Sequence, residues 1–248
     1  MPVVSIITPL FNSSKYLEET YKSVINQTFK DFEWIIIDDK STDDSYLLAT
    51  KLAKQDSRIK VLQTNKNGGS AVARNLAIKH VKGRYITFLD ADDVLDSNYL
   101  EEQVKFTKEN GPVISSGYRR MAKHTTTDFF VPETVDYKKL LKGNPLSCLS
   151  TMYDREVIGD VFFPEDYAKC EDYVFWLNIL KKGYVAKGNP KVLATYRIGK
   201  NTKSSHKFKL IKHMYRVYHE SQHINWFKSW LYVVRWALYG LKKYKNVR

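Results

Sequence analysis

Residues 84–93, Arg-Tyr-Ile-Thr-Phe-Leu-Asp-Ala-Asp-Asp, run a stretch of strand formers straight into three carboxylates, Asp90, Asp92 and Asp93. Like charges crowded at a strand end repel, and aspartate is a poor strand former. A divalent cation held by hard oxygen ligands and shared with a phosphate group relieves that repulsion. Taken alone, an Asp-x-Asp-Asp string is equally an acidic, solvated turn. A second strand ending the same way changes the reading. Residues 32–39, Phe-Glu-Trp-Ile-Ile-Ile-Asp-Asp, form a continuous apolar run that finishes in Asp38 and Asp39. Such a run reads as a strand buried on both faces of a parallel sheet. Ligands of open α/β sheets collect beyond the carboxyl ends of the strands. The two endings therefore point to one acidic, cation-dependent pocket, the alternative being two unrelated helix-capping turns.

The elements that must position these residues alternate along the chain. Strand patterns cover 3–10, 32–37, 59–63 and 84–89, and helical patterns cover 15–27, 46–54, 70–81 and 98–110. This alternation predicts an α/β fold, a mostly parallel central sheet with helices on both faces. Beyond residue 110 the pattern loosens. Stretches 112–117 and 149–153 are strand-like, and a helix over 171–182 is closed by Gly183.

Two features remain open on residues alone. Gly68-Gly69-Ser70, before a helix, either brings backbone N–H groups to a phosphate or simply makes a tight turn; it matches neither the dinucleotide nor the P-loop pattern. Arg74, one turn into that helix, either pairs with phosphate or strand-end carboxylates or lies at the surface. Glu171-Asp172, at a helix start, reads first as charge complementation of the helix N-terminus.

Composition bounds the possibilities. A hydrophobic fraction of 43% over 248 residues supplies a sizeable core and excludes wholesale disorder. The two cysteines, Cys148 and Cys170, have no metal-ligand spacing and read as small apolar residues in a reducing compartment. The N-terminal apolar run lacks the basic start and cleavage site of a signal peptide, so a cytoplasmic protein is expected. About +10 of the net +13 lies in residues 203–248, where eleven Lys or Arg face one acid, Glu220. Trp226, Phe227, Trp230, Tyr232, Trp236, Tyr239 and Tyr244 are interleaved with them. Lys228 and Arg235 interrupt the segment well short of the roughly 20 apolar residues of a membrane span. The favoured reading is a helical tail on an anionic membrane surface. A tail packed on the main domain and a nucleic-acid-binding tail are the alternatives, the last without any recognised nucleic-acid module.

Taken together, five segments carry a family resemblance: Ser5-Ile-Ile-Thr-Pro-Leu-Phe-Asn, Gln27-Thr28-Phe29, residues 37–43 (Ile-Asp-Asp-Lys-Ser-Thr-Asp), Gly68-Gly69 through Ala73-Arg74-Asn75, and residues 88–93 (Phe-Leu-Asp-Ala-Asp-Asp). In order and spacing the chain resembles glycosyltransferase family 2, strongly over 1–100 and more loosely to about 205. The resemblance implies the GT-A fold, with a nucleotide-sugar-binding half at 1–100, an acceptor half at 101–202 and the basic tail at 203–248. It implies an inverting transfer of a hexose or N-acetylhexosamine from a UDP-sugar to a saccharide hydroxyl.

Carried over position by position, the resemblance makes Pro9 and Phe11 part of a base-binding floor, with Asp39 accepting from uracil and Asp38 supporting it. Arg74 contacts the nucleotide. Asp90-Ala91-Asp92 is the metal motif for Mn²⁺ or Mg²⁺, with Asp92 a direct ligand, Asp90 a ligand or ribose contact, and Asp93 behind them. Asp172 becomes the general base, with Glu171 contacting or orienting the acceptor. Arg197 lies in a loop over the donor phosphates. A histidine expected soon after it is replaced by Gly199-Lys200, leaving His206 as a substitute contact or an unremarkable residue. Sugar specificity is expected from residues 115–124 and 143–153.

Relatives of this size with such a tail elongate lipid-linked oligosaccharides, so an undecaprenyl diphosphate-linked acceptor and a peripheral place on the inner face of the cell membrane follow as expectations. No nucleic-acid partner is expected. A nucleotidyltransferase, whose glycine-rich phosphate loop is absent after the first strand, and a non-catalytic nucleotide-sugar binder are the alternatives.

Overall fold

The apolar run at residues 32–38 is buried on both faces, as its lack of alternation predicts. In the computed structural model, which describes residues 1–122, 125–167, 169–198 and 207–243, β2 (Phe32–Asp38) sends Trp34 and Ile36 into one apolar core and Ile35 and Ile37 into another. Its neighbours β1 (Val4–Leu10), β3 (Ile59–Gln63) and β4 (Tyr85–Phe88) complete a parallel set in the order β3-β2-β1-β4. Helices α1 (Ser14–Ile25), α2 (Ser45–Ala53) and α4 (Tyr99–Asn110) bury residues in one core. Helix α3 (Ser70–Ile78) covers the other. Parallel pairing sets the carboxyl ends of β1, β2 and β4 along one edge, where Phe11, Asp39 and Asp90 emerge.

The sheet then changes direction. β9 (Thr151–Asp154) adds antiparallel to β4, and β6 (Val113–Met121) antiparallel to β9. β10 (Ala186–Arg197) runs parallel to β6, and the short β5 (Val94–Leu95) pairs antiparallel with β10. β7 (Thr126–Phe129) and β8 (Thr134–Val135) extend this half from β6 and β10. The twelve-residue β10 was not anticipated. Its Gly188-Asn189-Pro190 reads as a turn, and the structure absorbs it as register shifts between Asn189 and Val192 and between Val192 and Thr195. Pairing of Thr195 with Val94 brings the end of β10 to the acidic end of β4.

Short helices α5 (Tyr137–Leu140) and α6 (Arg155–Ile158) precede α7 (Glu171–Lys181), which is buried along most of its length against the α3 core. The tail begins with α8 (Lys207–Arg216), passes a π turn at Val217–Ser221 and ends in α9 (Trp226–Lys243). Met214, Val217, Tyr218 and Val233 are buried in the core that holds α7. Tyr218 donates to the Leu141 carbonyl (3.0 Å), and Gln222 to Asn178 on α7 (3.1 Å). Packing on the main domain, the alternative reading of the tail, thus describes one side of it. Residues 203–206, including His206, lie outside the described residues, as do Lys123, His124, Gly199 and Lys200.

Candidate active site

At the end of β2 the carboxylates are occupied by donors of the protein itself. Asp39, 2% exposed, accepts from Thr64 Oγ1 (2.9 Å), Gly68 N (3.0 Å) and Gly69 N (2.6 Å). The amides of the Gly-Gly loop therefore face Asp39. Gly68 sits too close to Val72 for any Cβ, and Gly69 takes φ +86°, where L side chains are strained. Asp38 is fully buried and accepts from Ser41 N (3.2 Å) and Gln63 Nε2 (2.8 Å), while its Oδ1 has no partner among the described residues.

The turns after β1 and β2 are laced together. Asn12, in the left-handed region at φ 48°, accepts from Thr42 N (2.8 Å), and its own N–H donates to Ser41 Oγ (3.1 Å). Asp43 accepts from Ser14 Oγ (2.8 Å) and Ser45 N (2.9 Å). Burial works against the Asp43 charge, but hydrogen bonds from Ser45 and Ser14 outweigh it and hold the carboxyl at about 2. This lacing sets half-buried Pro9 and exposed Phe11 beside Asp39's loop, an apolar surface open to a flat ring.

The end of β4 is the opposite case. Ala91 is buried, and the Thr20 hydroxyl from α1 is shared between the carbonyls of Ala91 (3.0 Å) and Asp93 (2.8 Å). This fastening holds Asp90 and Asp92 half-buried at the edge. Burial, then the Asp90 charge, raises the proton affinity of Asp92. Burial, then Asp90 and Asp92, raises that of Asp93 much further; one Asp93 oxygen accepts from Arg197 N (2.8 Å) and the other has no partner among the described residues. Carboxylates crowded together and short of donors are what a hard divalent cation stabilises. Among the described residues no group of three His, Cys, Asp or Glu forms a metal cage. Two carboxylates, with waters and substrate phosphates completing the shell, is the arrangement Mg²⁺ favours. The residues fit the metal. Arg197 lies beside them, its guanidinium paired with Glu19 and 5.3 Å from the Tyr16 ring.

Arg74 and the start of α7 link the two halves. Arg74 is buried; its guanidinium meets Asp90 Oδ1 at 2.6 Å and Glu171 Oε1 at 3.7 Å, and lies 5.2 Å from the Phe163 ring. Burial opposes its charge, yet the Asp90 and Glu171 carboxylates outweigh that and strengthen its hold on the proton. Of the two sequence readings, the one that paired Arg74 with strand-end carboxylates describes the structure. Glu171 is buried and accepts from Ser70 Oγ (2.6 Å), the residue after the Gly-Gly loop. Burial, then the Glu171 charge, pushes Asp172 up to about 6, against Arg74 and the Tyr173 amide. A carboxylate so placed is charged at neutral pH and basic enough to take a proton from a hydroxyl. Tyr118 on β6 is buried within electrostatic reach of Arg120, Asp93 and Asp172.

A fold with acids at the ends of two parallel strands and a third acidic site at the start of a buried helix has close counterparts. The family model described as Glycosyl transferase family 2 matches residues 5–157. The chain belongs to glycosyltransferase family 2. As a glycosyltransferase it is 39% identical, over 98% of its length and 97% of the relative's, to TuaG of Bacillus subtilis strain 168, named for teichuronic acid biosynthesis. It is 32% identical, over 98% of its length and 97% of the relative's, to the Escherichia coli protein WfgD. WfgD is named a UDP-Glc:α-D-GlcNAc-diphosphoundecaprenol β-1,3-glucosyltransferase. The fold matches that of S. aureus TarS in complex with UDP-GlcNAc at a TM-score of 0.74 and 21% identity, covering 98% of this chain and 74% of that one. A Pyrobaculum calidifontis mannosyltransferase in complex with GDP-Man and Mn²⁺ matches at a TM-score of 0.70 and 18% identity, covering 94% of this chain and 70% of that one.

In this glycosyltransferase the structure brings Arg74, Asp90 and Glu171 into one ionic chain, with Asp172 next to it. Asp38 and Asp39 stand apart from it; Gly69 N donates to Asp39, and the next residue, Ser70, donates to Glu171. Sequence reasoning missed Ser70, Glu19 and Thr20 as positioning residues. Only the serine after Gly68-Gly69 carried a local signal; Glu19 and Thr20 are neighbours in the middle of α1, one exposed and the other buried, with nothing in their local sequence to mark them.

Proposed function

We propose that this glycosyltransferase moves a hexose or N-acetylhexosamine from a UDP-sugar to a hydroxyl of an undecaprenyl diphosphate-linked saccharide, with inversion. The observation that carries the reading is the position of Asp172. It lies at the start of α7, raised to about 6 and tied through Glu171 to both Ser70 and the Arg74–Asp90 pair of the donor half. Pro9 and Phe11 offer the face on which the base rests, and Asp39 shapes the loop beside it and accepts from the ring. Arg74 neutralises charge next to the diphosphate, and Asp38 holds the turn that follows β2. Arg197 closes the phosphate side.

Asp92, with Asp90, holds Mn²⁺ or Mg²⁺, which when bound neutralises charge on the departing diphosphate. Asp172 takes the proton of the acceptor hydroxyl on the face opposite the leaving group, and Glu171 orients the acceptor. The names of WfgD and of its relative WfaP, which is 36% identical over 84% of this chain, support the UDP donor and the lipid-linked acceptor. Such an acceptor puts the working enzyme on the inner face of the cell membrane, with residues 203–248 toward the lipid.

The test is turnover of a panel of UDP-sugars with a synthetic lipid diphosphate-linked GlcNAc acceptor, with Mn²⁺ or with EDTA. Metal-dependent UDP release and a lengthened acceptor are expected. A donor that binds but is never consumed with any acceptor would mark a non-catalytic nucleotide-sugar binder instead.

A further inference from the structure

Helix α9 is apolar on two sides but buried on one. Ser229 and Val233 face the core, with Tyr232 and Trp236 packed against it. On the other side Phe227, Trp230, Leu231, Val234, Leu238 and Leu241 recur every three or four residues, and the helix begins with Trp226. Trp226, Phe227, Leu238 and Leu241 are 60% exposed or more. An apolar stripe of this length on a folded surface calls for a partner.

We propose that the solvent-facing stripe of α9 is a docking surface for an anionic lipid bilayer, against which the helix lies flat. Charge selects this occupant. Exposed Lys228 and Arg235 border the stripe, in a segment where eleven basic residues face one acid. Against anionic headgroups these charges attract and their stems cover apolar surface. Against a second copy of the same stripe they would meet one another and repel. Trp226, Phe227 and Trp230 gather at one end, the side chains that favour the headgroup layer. No helix among the described residues is long and apolar enough to cross a membrane, which leaves the in-plane arrangement.

The surface is fixed to the enzyme rather than tethered to it. At its far end Lys243 donates to the Asn144 carbonyl (3.0 Å) and its ammonium lies 4.4 Å from the Phe129 ring, while Arg120 of β6 donates to the Lys243 carbonyl. Gly143 leaves room there for the Tyr239 ring, which a Cβ would strike. This end abuts β6 and β7, with the Lys243 ammonium 5.9 Å from the ring of Tyr118, which lies within electrostatic reach of Asp172. A docked α9 therefore sets Asp172 at a constant height above the lipid, within reach of a lipid-linked acceptor; that last step rests on the proposed function.

The test is flotation of the full-length protein with phosphatidylcholine vesicles, with or without roughly one-third phosphatidylglycerol. Wild type is expected to float with the anionic vesicles. The variant Phe227→Ser/Leu238→Ser/Leu241→Ser is expected to lose about tenfold or more of its partitioning, and Lys228→Glu/Arg235→Glu to lose binding to the anionic vesicles. Both should keep the wild-type melting temperature and UDP release with a water-soluble acceptor, so a failed surface is distinguishable from a failed reaction. Equal flotation of wild type and the triple variant would overturn the proposal. So would a wild type that stays in solution, whether as a monomer or as a dimer that the triple variant dissolves.

Discussion

The two acidic strand ends of this glycosyltransferase are built from the same side chain and reach opposite states. After β2, Asp39 receives a hydroxyl and two backbone amides, whereas Asp38 takes an amide and a glutamine on Oδ2 alone, its Oδ1 without a partner among the described residues, so Asp39 is the saturated acid of this end. After β4, Asp92 and Asp93 sit among other carboxylates with few donors, and their proton affinities rise. A carboxylate saturated by amides fixes a loop, because each charge-assisted bond favours one geometry. A carboxylate starved of donors needs a counter-charge from outside. One end therefore holds shape and the other awaits a cation, and Asp172 across the cleft repeats the starved case with a proton as the counter-charge.

The largest effect is expected where donors are fewest. Asp92→Ala should cost about 10³-fold or more in metal-dependent UDP release, with the fold intact by circular dichroism. Wild-type turnover in Asp92→Ala would erase the contrast between the two ends.

Asp172→Asn comes next, with kcat expected to fall about 10²–10⁴-fold. In the wild type kcat/KM should decline as pH drops below about 6, because the base becomes protonated. That limb should vanish in the Asn variant. The stability sign is opposite. An acid raised above its unfolded value destabilises the charged folded state, so the Asn variant should melt higher at pH 7. Its advantage should shrink as pH falls through about 6 and disappear below about 4. An Asn variant that keeps the acid limb would assign the base elsewhere.

At the saturated end the loss is mainly in shape. Asp39→Asn turns an amide donor toward the Gly68 and Gly69 amides, costing about 1–3 kcal/mol of stability and roughly tenfold in donor KM. An unchanged donor KM would separate Asp39 from the base site.

The smallest effect tests the link between the ends. Ser70→Ala removes the donor to Glu171, and kcat should fall about five- to tenfold with donor KM unchanged. Ser70→Thr should restore part of it. A change in KM alone would confine Ser70 to the donor half.

Much of this was legible in residues 1–100, where each strand and helix announces itself locally. The run at 32–38 had to be buried on both faces, and the start of a helix at Glu171 stood at its own acidic pair. The helix at 70–81 ends at Ile78 in the structure, and β6 extends to Met121, differences of a few residues at frayed ends. β10 was not legible, since Gly188-Asn189-Pro190 carries turn chemistry that only the neighbouring strand β6 overrides through shifted register. Neither was the double life of the tail. Its charge and aromatics were plain, but the side that faces Leu141, Asn178 and Asn144 became visible only once those residues had a place.

The sequence by itself determined the alternating α/β core, the acids at its strand ends and the basic aromatic tail, because strand periodicity and local charge are properties of neighbours in the chain. Tertiary structure alone decided which acids are saturated and which are starved. Asp39 meets amides about thirty residues away, Glu171 meets a hydroxyl about a hundred residues away, and Asp93 meets the amide of Arg197 across the sheet. A carboxylate's chemistry is set by the donors that reach it, and those arrive through folding.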